Sequence, residues 1–189
     1  MERAVYWADM LYTGKGDGGT TTAFGCNQQR ISKSSELPEA LGALDELNAF
    51  LGFAKMRAIG APRIGAALRA AQETLFIIQA EVAGADKRVG ESAVKEVEKL
   101  VNEIEKEIPP ITGFSIAGGT ELSALLDVAR TLARRAERRV IAVTNLDKSD
   151  LSKISGETLA YLNRLSSLLF ALARLANHEA GVAEENPRY

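Results

Sequence analysis

The chain has 189 residues, 46% of them hydrophobic, and a formal net charge of −2 at pH 7. This length predicts one domain with a sizeable core, and the charge argues against a general affinity for nucleic acid or anionic membranes. No apolar run approaches the roughly 18–20 residues of a membrane span, and residues 1–7 lack the apolar part of a signal peptide. We therefore expect a cytoplasmic protein without a membrane anchor.

Residues 1–35 read as a loop-like N-terminal arm, and its most informative part is the glycine–threonine loop, residues 13–22 (TGKGDGGTTT). Glycine suits backbone with positive φ or backbone that approaches a ligand closely. Free amides, hydroxyls and an ammonium group together can cradle an oligophosphate. The spacing is not that of a Walker A loop, and no strand–helix–strand unit precedes it. A mobile glycine-rich loop without a ligand remains the alternative.

Cys26, the single cysteine, lies in the same arm. One thiol excludes an internal disulfide and is typical of a reducing compartment. A nucleophilic thiol would need a nearby base, and the single histidine is far away in the sequence. We interpret Cys26 as an incidental small residue.

The rest of the chain predicts five amphipathic helices, with apolar residues spaced by three and four. The serine pair at 34–35 suits an N-cap, Pro62 suits the first turn of a helix, and Thr120 follows two glycines as another N-cap. Pro109 and Pro110 end the third helix. The predicted helices span approximately residues 36–60, 62–82, 91–107, 121–143 and 155–179.

Five such helices predict an all-α helical bundle. We expect one domain covering residues 1–189, with the arm at 1–35 and the bundle at 36–180. The polar stretch 145–153 is expected to be a loop, and the tail at 181–189 is expected to be loosely ordered.

The fourth helix carries a polar stripe that a bundle does not need. Arg130, Arg134 and Glu137 fall on one face, and further arginines flank them at 135, 138 and 139. A solvated face with ion pairs within the helix is one explanation. A nucleic-acid patch is disfavoured because the chain is acidic overall and the run lacks aromatic partners for bases.

Three further polar residues leave two interpretations each. Asp45 borders the apolar stripe of the first helix: if buried it needs a cation such as Arg130, and otherwise it is an exposed acid. Asn163 of the fifth helix suits either a hydrogen bond within the bundle or contact with adenine or ribose. His178 is expected to favour the C-terminal dipole of the last helix rather than to bind a metal.

Several segments, taken together, resemble the PduO-type ATP:cob(I)alamin adenosyltransferases. The family's loop T-x-T-G-D-x-G-x-T resembles residues 13–21, with the basic element RISK downstream, and its G-x-x-D-E-L-N signature matches residues 42–48. Residues 114–119 resemble its F-x-x-P-G-G segment. The motifs A-R-T-x-x-R-R-A-E-R and Y-L-N-R-L-S-D-x-L-F match residues 129–138 and 161–170. The resemblance extends from residue 12 to about residue 174, in the family's order.

The resemblance implies a five-helix bundle, a homotrimer with active sites between subunits, and transfer of the 5′-deoxyadenosyl group from ATP to cob(I)alamin. Cobalt(I) is itself the nucleophile, so no protein nucleophile is expected. Arg134 would be the central triphosphate contact, and Phe114 would occupy the lower face of the corrinoid. The implied partners are a cob(II)alamin reductase and an adenosylcobalamin-dependent enzyme that accepts the product.

The site residues that the resemblance implies fall into three overlapping groups: catalytic, corrinoid-binding and ATP-binding residues. Arg134 and Phe114 carry the catalytic roles, Mg²⁺ accompanies ATP, and no protein metal ligand is expected. The corrinoid residues are Asp45, Phe114 and Arg130, with Asp45 and Arg130 forming a pair that closes the pocket between subunits. The ATP residues are Thr13, Gly14, Lys15, Gly16, Asp17, Gly19, Thr21, Thr22, Lys33, Arg134, Arg135, Glu137, Arg138 and Asn163.

The chain departs from the family pattern at a few positions. Ala117 replaces the usual proline, Ser167 stands where an aspartate is usual, and Lys15 precedes the Gly-Asp pair instead of following it. The shifted lysine changes which donor would contact which phosphate. A non-catalytic protein that binds ATP or corrinoid, and a structural trimer without chemistry, are the competing classes. The first is disfavoured because the triphosphate loop and Phe114 are both retained.

Overall fold

The structure, a computed structural model, describes residues 12–24, 29–144 and 154–188. Cys26, the N-terminal residues 1–11 and the predicted loop at 145–153 lie outside these ranges. Five helices account for most of the described residues, so the all-α prediction is confirmed. Their bounds are α1 Glu36–Met56, α2 Pro62–Val82, α3 Glu91–Glu107, α4 Glu121–Thr144 and α5 Gly156–Glu179.

The predicted helix ends are confirmed with two differences. α1 ends at Met56, one turn before Gly60, because Arg57 already takes the C-cap position. Ser35 occupies the N-cap position of α1, but its hydroxyl donates to the Ser32 carbonyl at 2.7 Å and does not cap the helix. Thr120 caps α4 as expected, since its hydroxyl oxygen accepts the Ser123 amide at 3.1 Å.

α5 is the central helix of the bundle. It packs mainly against α4 and α3, while α1 packs against α4 and α2. Leu162, Leu165 and Leu169 of α5 are fully buried, and a helix that is apolar on nearly all sides belongs in the middle of a core. Burial also raises the pKa of the Tyr161 phenol, with a hydrogen bond to Thr74 acting in the opposite direction.

A buried carboxylate fixes the start of α5. Glu81 of α2 has no exposed surface. It accepts the Ser155 amide and the Thr158 hydroxyl, each at 2.6 Å, and Arg88 lies 3.6 Å away. Negative charge at a helix N-terminus is favourable because unpaired amides and the helix dipole meet it there.

The arm contains one short element that its sequence pattern did not predict. Strands β1 (Thr20–Thr21) and β2 (Ile31–Ser32) pair antiparallel, with Thr20 opposite Ser32. Two residues per strand are too few for any alternation of apolar and polar residues to be visible in a sequence.

Described residues of the tail form contacts with α5 and with the α3–α4 connection, which its polar composition did not indicate. The Val182 amide donates to the Asn177 carbonyl at 2.9 Å, and the Glu185 carbonyl accepts the Ile116 amide at 2.8 Å. Glu184 is paired with Arg174 at 2.8 Å. Polar composition suggested a loose end because the partners of these groups lie on distant parts of the chain.

Candidate active site

An open pocket lies between α4, α5 and the connection that joins α3 to α4. Its volume is about 620 Å³, and we name it the α4–α5 pocket. It brings together three residues that the sequence had assigned to one site: Phe114, Arg130 and Arg134. The other lining residues are Ile111, Gly113, Ser115, Ser166, Ser167 and Phe170.

Phe114 lies on the wall formed by the α3–α4 connection. Its side chain is 79% exposed within the single chain, so it is not a core phenylalanine. A large aromatic ring at the mouth of a pocket is available to a ligand or to another protein surface. Phe170 lines the same pocket from α5.

Arg130 is held by residues of its own chain. Its Nε donates to Asp127 Oδ1 at 3.3 Å, three residues earlier on α4, and its guanidinium lies 5.9 Å from the centre of the Phe170 ring. Asp45 is exposed on α1. The two do not pair within one chain; the carboxylate beside Arg130 is that of Asp127, one turn earlier on the same helix. A buried Asp45 neutralised by Arg130 is therefore ruled out for the single chain.

The arginines of α4 divide into two kinds. Arg135 forms an ion pair with Glu46 of α1, and Arg139 lies 3.5 Å from Glu39, which is also on α1. Arg134 and Arg138 form no hydrogen bond or ion pair within the described ranges. The ion pairs of Arg135 and Arg139 thus join α4 to α1, whereas the Arg130–Asp127 pair runs along α4 as the solvated-face interpretation required.

Glu137 and Asn163 bridge α4 and α5. The Asn163 amide nitrogen donates to Glu137 Oε1 at 3.1 Å, and its oxygen accepts Arg164 at 2.6 Å. Arg164 also donates to Glu98 of α3 at 2.9 Å. Asn163 is exposed, although its position beside the apolar stripe suggested partial burial. It forms the hydrogen bond within the bundle that was one of the two sequence interpretations.

The glycine–threonine loop is a pair of tight turns. The Asp17 amide donates to the Gly14 carbonyl and the Gly19 amide to the Gly16 carbonyl, both at 3.1 Å. Gly14 and Gly19 have φ of 67° and 74°, a backbone region that favours glycine. A side chain at Gly16 would lie 2.8 Å from the Lys33 ammonium, which shows how closely Lys33 approaches the loop backbone.

Arg30 organises this loop, although no separate role was expected for it from the sequence. It donates to the Thr20 hydroxyl at 2.8 Å, to the Thr20 carbonyl at 2.7 Å and to the Lys15 carbonyl. These contacts cross the β1–β2 pair, so the pairing of the strands places Arg30 beside the turn. Only its inclusion in the basic element RISK hinted at this position.

The structure does not bring the loop and the α4–α5 pocket together within one chain. No hydrogen bond or ion pair joins the loop to α4 or α5 in the described residues. Thr13, Lys15, Thr22 and Lys33 are exposed, as are Arg134 and Arg138. The loop residues therefore do not line the α4–α5 pocket of their own chain.

The described residues also bear on metal binding and on membrane spanning. They contain no cluster of three or more histidine, cysteine, aspartate or glutamate side chains arranged to hold a metal ion. Within the same ranges, none of the helices combines the length and the apolar character that crossing a membrane demands. His178 is exposed in the last turn of α5, in the position expected for a residue that favours the helix dipole.

Comparison with known proteins identifies the family to which this chain belongs. Residues 11–176 match the family model described as cobalamin adenosyltransferase, and the chain belongs to this family. It is 37% identical over 181 residues to the corrinoid adenosyltransferase of Bacillus subtilis, covering 92% of this chain and 90% of the relative. It is 35% identical over 177 residues to the corrinoid adenosyltransferase PduO of Citrobacter freundii, covering 90% of this chain and 50% of that protein.

A solved structure supports the same assignment. The chain superposes with a TM-score of 0.86, at 29% identity, on a variant PduO-type ATP:corrinoid adenosyltransferase from Lactobacillus reuteri complexed with cobalamin and ATP. The match covers 95% of this chain and 100% of the solved chain. The family resemblance and the helical fold inferred from the sequence are thereby confirmed.

Proposed function

We propose that this protein transfers the 5′-deoxyadenosyl group from ATP to the cobalt of cob(I)alamin, giving adenosylcobalamin and triphosphate. The observation that carries the proposal is the α4–α5 pocket, where the exposed Phe114 ring lines one space with the Arg134 guanidinium, which has no ion-pair partner among the described residues. An aromatic wall suits a flat corrinoid, and a cation suits a phosphate chain. Family membership supports the pairing of these two ligands.

In this reaction the protein binds the two substrates, orients them and stabilises the charge that develops. Cobalt(I) attacks the ribose 5′ carbon, the carbon–oxygen bond to triphosphate breaks, and negative charge grows on the leaving group. Donors aimed at that charge stabilise the transition state more than the bound substrates. We assign this role to Arg134 and Arg138 of α4 and to the donors of the loop and its basic element: Thr13, Lys15, Thr21, Thr22 and Lys33.

The loop is shaped to surround a phosphate chain. Gly14, Gly16 and Gly19 let the backbone approach phosphates closely, as the short distance from Gly16 to the Lys33 ammonium illustrates. Arg135 would reach a triphosphate only in competition with Glu46, so its share in binding is smaller than that of Arg134. Glu137 and Asn163, joined to each other, would orient the nucleoside.

Magnesium fits this site as an ion carried by the nucleotide. Mg²⁺ keeps several waters and is held by phosphate oxygens together with one or two carboxylates. Asp17 is an exposed carboxylate inside the loop, and the threonine hydroxyls add oxygen ligands. Asp17 would hold Mg²⁺ against the triphosphate, where the ion would neutralise part of the charge; this adds one protein ligand to the sequence-based expectation of none.

The separation of the loop from the α4–α5 pocket supports a site built by more than one chain. We propose a homotrimer in which the loop of one subunit faces the pocket of its neighbour. Asp45, exposed on α1, would then pair with Arg130 across the subunit boundary and close the corrinoid pocket. Phe114 would occupy the lower face of the corrinoid and exclude the axial base, which eases reduction of cobalt(II).

The proposed reaction also indicates which other proteins this enzyme would work with. A cob(II)alamin reductase would supply the reduced substrate, and an adenosylcobalamin-dependent enzyme would accept the product. We place the protein in the cytoplasm, without nucleic-acid or membrane partners. Residues 1–189 would act as one domain, with the ATP-binding arm at 1–35, the bundle at 36–180 and the tail beyond.

One assay tests the function directly. ATP and chemically reduced cob(I)alamin are mixed with the protein, and adenosylcobalamin is followed by absorbance while triphosphate is measured by chromatography. The proposal requires both products in equal amounts. Binding of ATP and corrinoid without product would instead favour a carrier or sensor, and absence of binding would favour a structural trimer.

A further inference from the structure

The residues around Phe114 have no regular secondary structure to hold them. We name residues 109–118 the Phe114 segment; they connect α3 to α4. The Phe114 side chain itself is mostly exposed, so its own packing does not fix its position. The place of the ring relative to a bound corrinoid therefore depends on how the backbone of the segment is anchored.

Three backbone anchors hold the Phe114 segment, and all involve the end of α5 or the tail. Arg174 Nη2 donates to the Pro109 carbonyl at 2.8 Å. The Ile116 amide donates to the Glu185 carbonyl at 2.8 Å. The Asn177 amide nitrogen donates to the Gly118 carbonyl at 2.9 Å, where the Ser123 hydroxyl also donates at 3.0 Å.

Arg174 connects the first of these anchors to the tail. It is 9% exposed, and a buried guanidinium needs a partner for its charge. Glu184 is that partner, since both of its oxygens lie near Arg174 Nε, at 2.8 and 3.1 Å. The carboxylate of the tail thus orients the guanidinium that holds the Pro109 carbonyl.

A second cavity shows why this anchoring matters. It has a volume of about 270 Å³ and lies between the Phe114 segment and the tail. Ile111, Gly113, Ser115 and Phe170 line both this cavity and the α4–α5 pocket, so the segment is a thin wall between two open spaces. A wall without core packing behind it shifts when its backbone anchors are lost.

We propose that Arg174 and Glu184 are positioning residues for Phe114: the tail, through this ion pair, holds the Phe114 segment where the ring meets the lower face of the corrinoid. The inference rests on the proposed function and extends it to residues that do not touch either substrate. It predicts that the tail affects the reaction that begins from cobalt(II) more than the reaction that begins from cobalt(I).

The test uses the full-length protein with Glu184→Ala, and with Glu184→Gln, which keeps an oxygen acceptor for Arg174 and is the milder change. Glu107→Ala is the matched control, because Glu107 pairs with Arg63 at 2.6 Å between α2 and α3, outside the lining of both cavities. Thermal unfolding establishes that each variant is folded at the assay temperature. Hydrogen exchange of residues 109–118 is then measured without substrates. Adenosyl transfer is measured from chemically prepared cob(I)alamin, and from cob(II)alamin with an added one-electron reductant that converts it to cob(I)alamin.

We expect Glu184→Ala to speed exchange in the Phe114 segment and to lower transfer from cobalt(II) by on the order of tenfold, with transfer from cobalt(I) changed by less than about twofold. Glu184→Gln should lie between Glu184→Ala and wild type, and Glu107→Ala should match wild type. If Glu184→Ala does not fold, the exchange and rate comparison is made on Glu184→Gln.

Unchanged exchange in residues 109–118, or equal losses from both cobalt states, would overturn the positioning role. Failure of the proposed function looks different. Wild type would then give no adenosylcobalamin from either cobalt state, while faster exchange in Glu184→Ala would still show that the ion pair holds the segment.

Discussion

Arg135 of α4 is ion-paired with Glu46 of α1, whereas the preceding residue, Arg134, lines the α4–α5 pocket. Consecutive residues of a helix point about 100° apart, so one arginine faces a neighbouring helix while the other faces the pocket. Two residues of the same type, adjacent in the same motif, thus have different surroundings. This difference provides an internal control for the proposed reaction.

Arg134→Ala should nearly abolish adenosyl transfer and leave the bundle folded. Arg134 is exposed and forms no ion pair in the described part of the chain, so its removal costs little packing. Loss of one donor to charge that grows in the transition state lowers turnover by on the order of 10²–10³. The measurement is turnover at saturating ATP and cob(I)alamin, with circular dichroism as the check on folding.

Arg135→Ala is the matched control for Arg134→Ala. It should lower stability slightly, by up to about 1 kcal/mol, because it removes a partly exposed ion pair between helices. Its effect on turnover should be much smaller than that of Arg134→Ala. Equal losses of turnover in the two variants would show that the pocket-facing position of Arg134 has no special role.

Arg30→Met should weaken ATP binding without loosening the bundle. The substitution removes the hydrogen bonds to Thr20 and Lys15 that hold the glycine–threonine loop in shape. A loop that must be ordered on binding costs affinity, and we expect KM for ATP to rise by about tenfold, or roughly 1.4 kcal/mol. KM for cob(I)alamin should change little.

Arg69→Met serves as the control for Arg30→Met, because Arg69 is also an exposed arginine but pairs with Glu73 of its own helix, α2, and not with the loop. It should leave both KM values unchanged. A rise in KM for ATP that is the same in both variants would point to lost surface charge, not to the shape of the loop.

The sequence predicted most of the fold because helices are encoded locally. Spacings of three and four, Pro62 and Thr120 placed the helices to within a turn. Contacts between distant residues had no such signal. Glu81 reads as an ordinary surface acid of α2, yet it is fully buried because Ser155 and Thr158, more than seventy positions later, donate to it.

The candidate site was predictable only as far as its motifs extend. The resemblance named Phe114, Arg130 and Arg134, and the structure places all three around one pocket. It did not reveal that Asp127 is the carboxylate beside Arg130, or that Phe170 faces Arg130 from α5. Those neighbours follow from how two helices pack, which a single sequence does not specify.

Glu81→Gln should destabilise the protein without changing its substrate affinities. The amide keeps the size of the side chain but turns one acceptor into a donor opposite the Ser155 amide or the Thr158 hydroxyl. A buried donor left without an acceptor costs about 1–3 kcal/mol. Urea unfolding measures the loss, and KM values equal to wild type at a temperature where the variant is folded would confirm a structural role. Unchanged unfolding would contradict the buried network.

Asp45→Asn should weaken binding of the corrinoid much more than binding of ATP. Asp45 is exposed and Arg130 pairs with Asp127 within the chain, so the proposed pair with Arg130 forms only across subunits. Removing the charge while keeping the shape should raise KM for cob(I)alamin by about tenfold. Sedimentation of the variant reports the oligomeric state. Equal losses for both substrates, or dissociation of the oligomer without a ligand effect, would count against this placement.

Phe114→Ala should affect transfer from cob(II)alamin and transfer from cob(I)alamin to different extents. Loss of a phenylalanine with a purely structural role would reduce both equally. A buried core phenylalanine costs about 3–5 kcal/mol on truncation to alanine. Phe114 is 79% exposed in the single chain, so we expect the free energy of unfolding to change by far less. Its exposed ring is available to a ligand. We therefore expect removal of the ring to change the reactivity of bound cobalamin more than the stability of the protein.

The lower-face role of Phe114 makes the choice of cobalt state decisive. Cobalt(II) carries an axial base that must be excluded before reduction becomes easy, whereas cobalt(I) has already lost its lower ligand. Phe114→Ala should therefore strongly reduce transfer that starts from cob(II)alamin with a reductant, and should reduce transfer from chemically prepared cob(I)alamin much less. The absorption spectrum of cob(II)alamin bound with ATP reports the same event directly. A four-coordinate signal that persists undiminished in Phe114→Ala would contradict the role, because the base would then be excluded by some other part of the pocket.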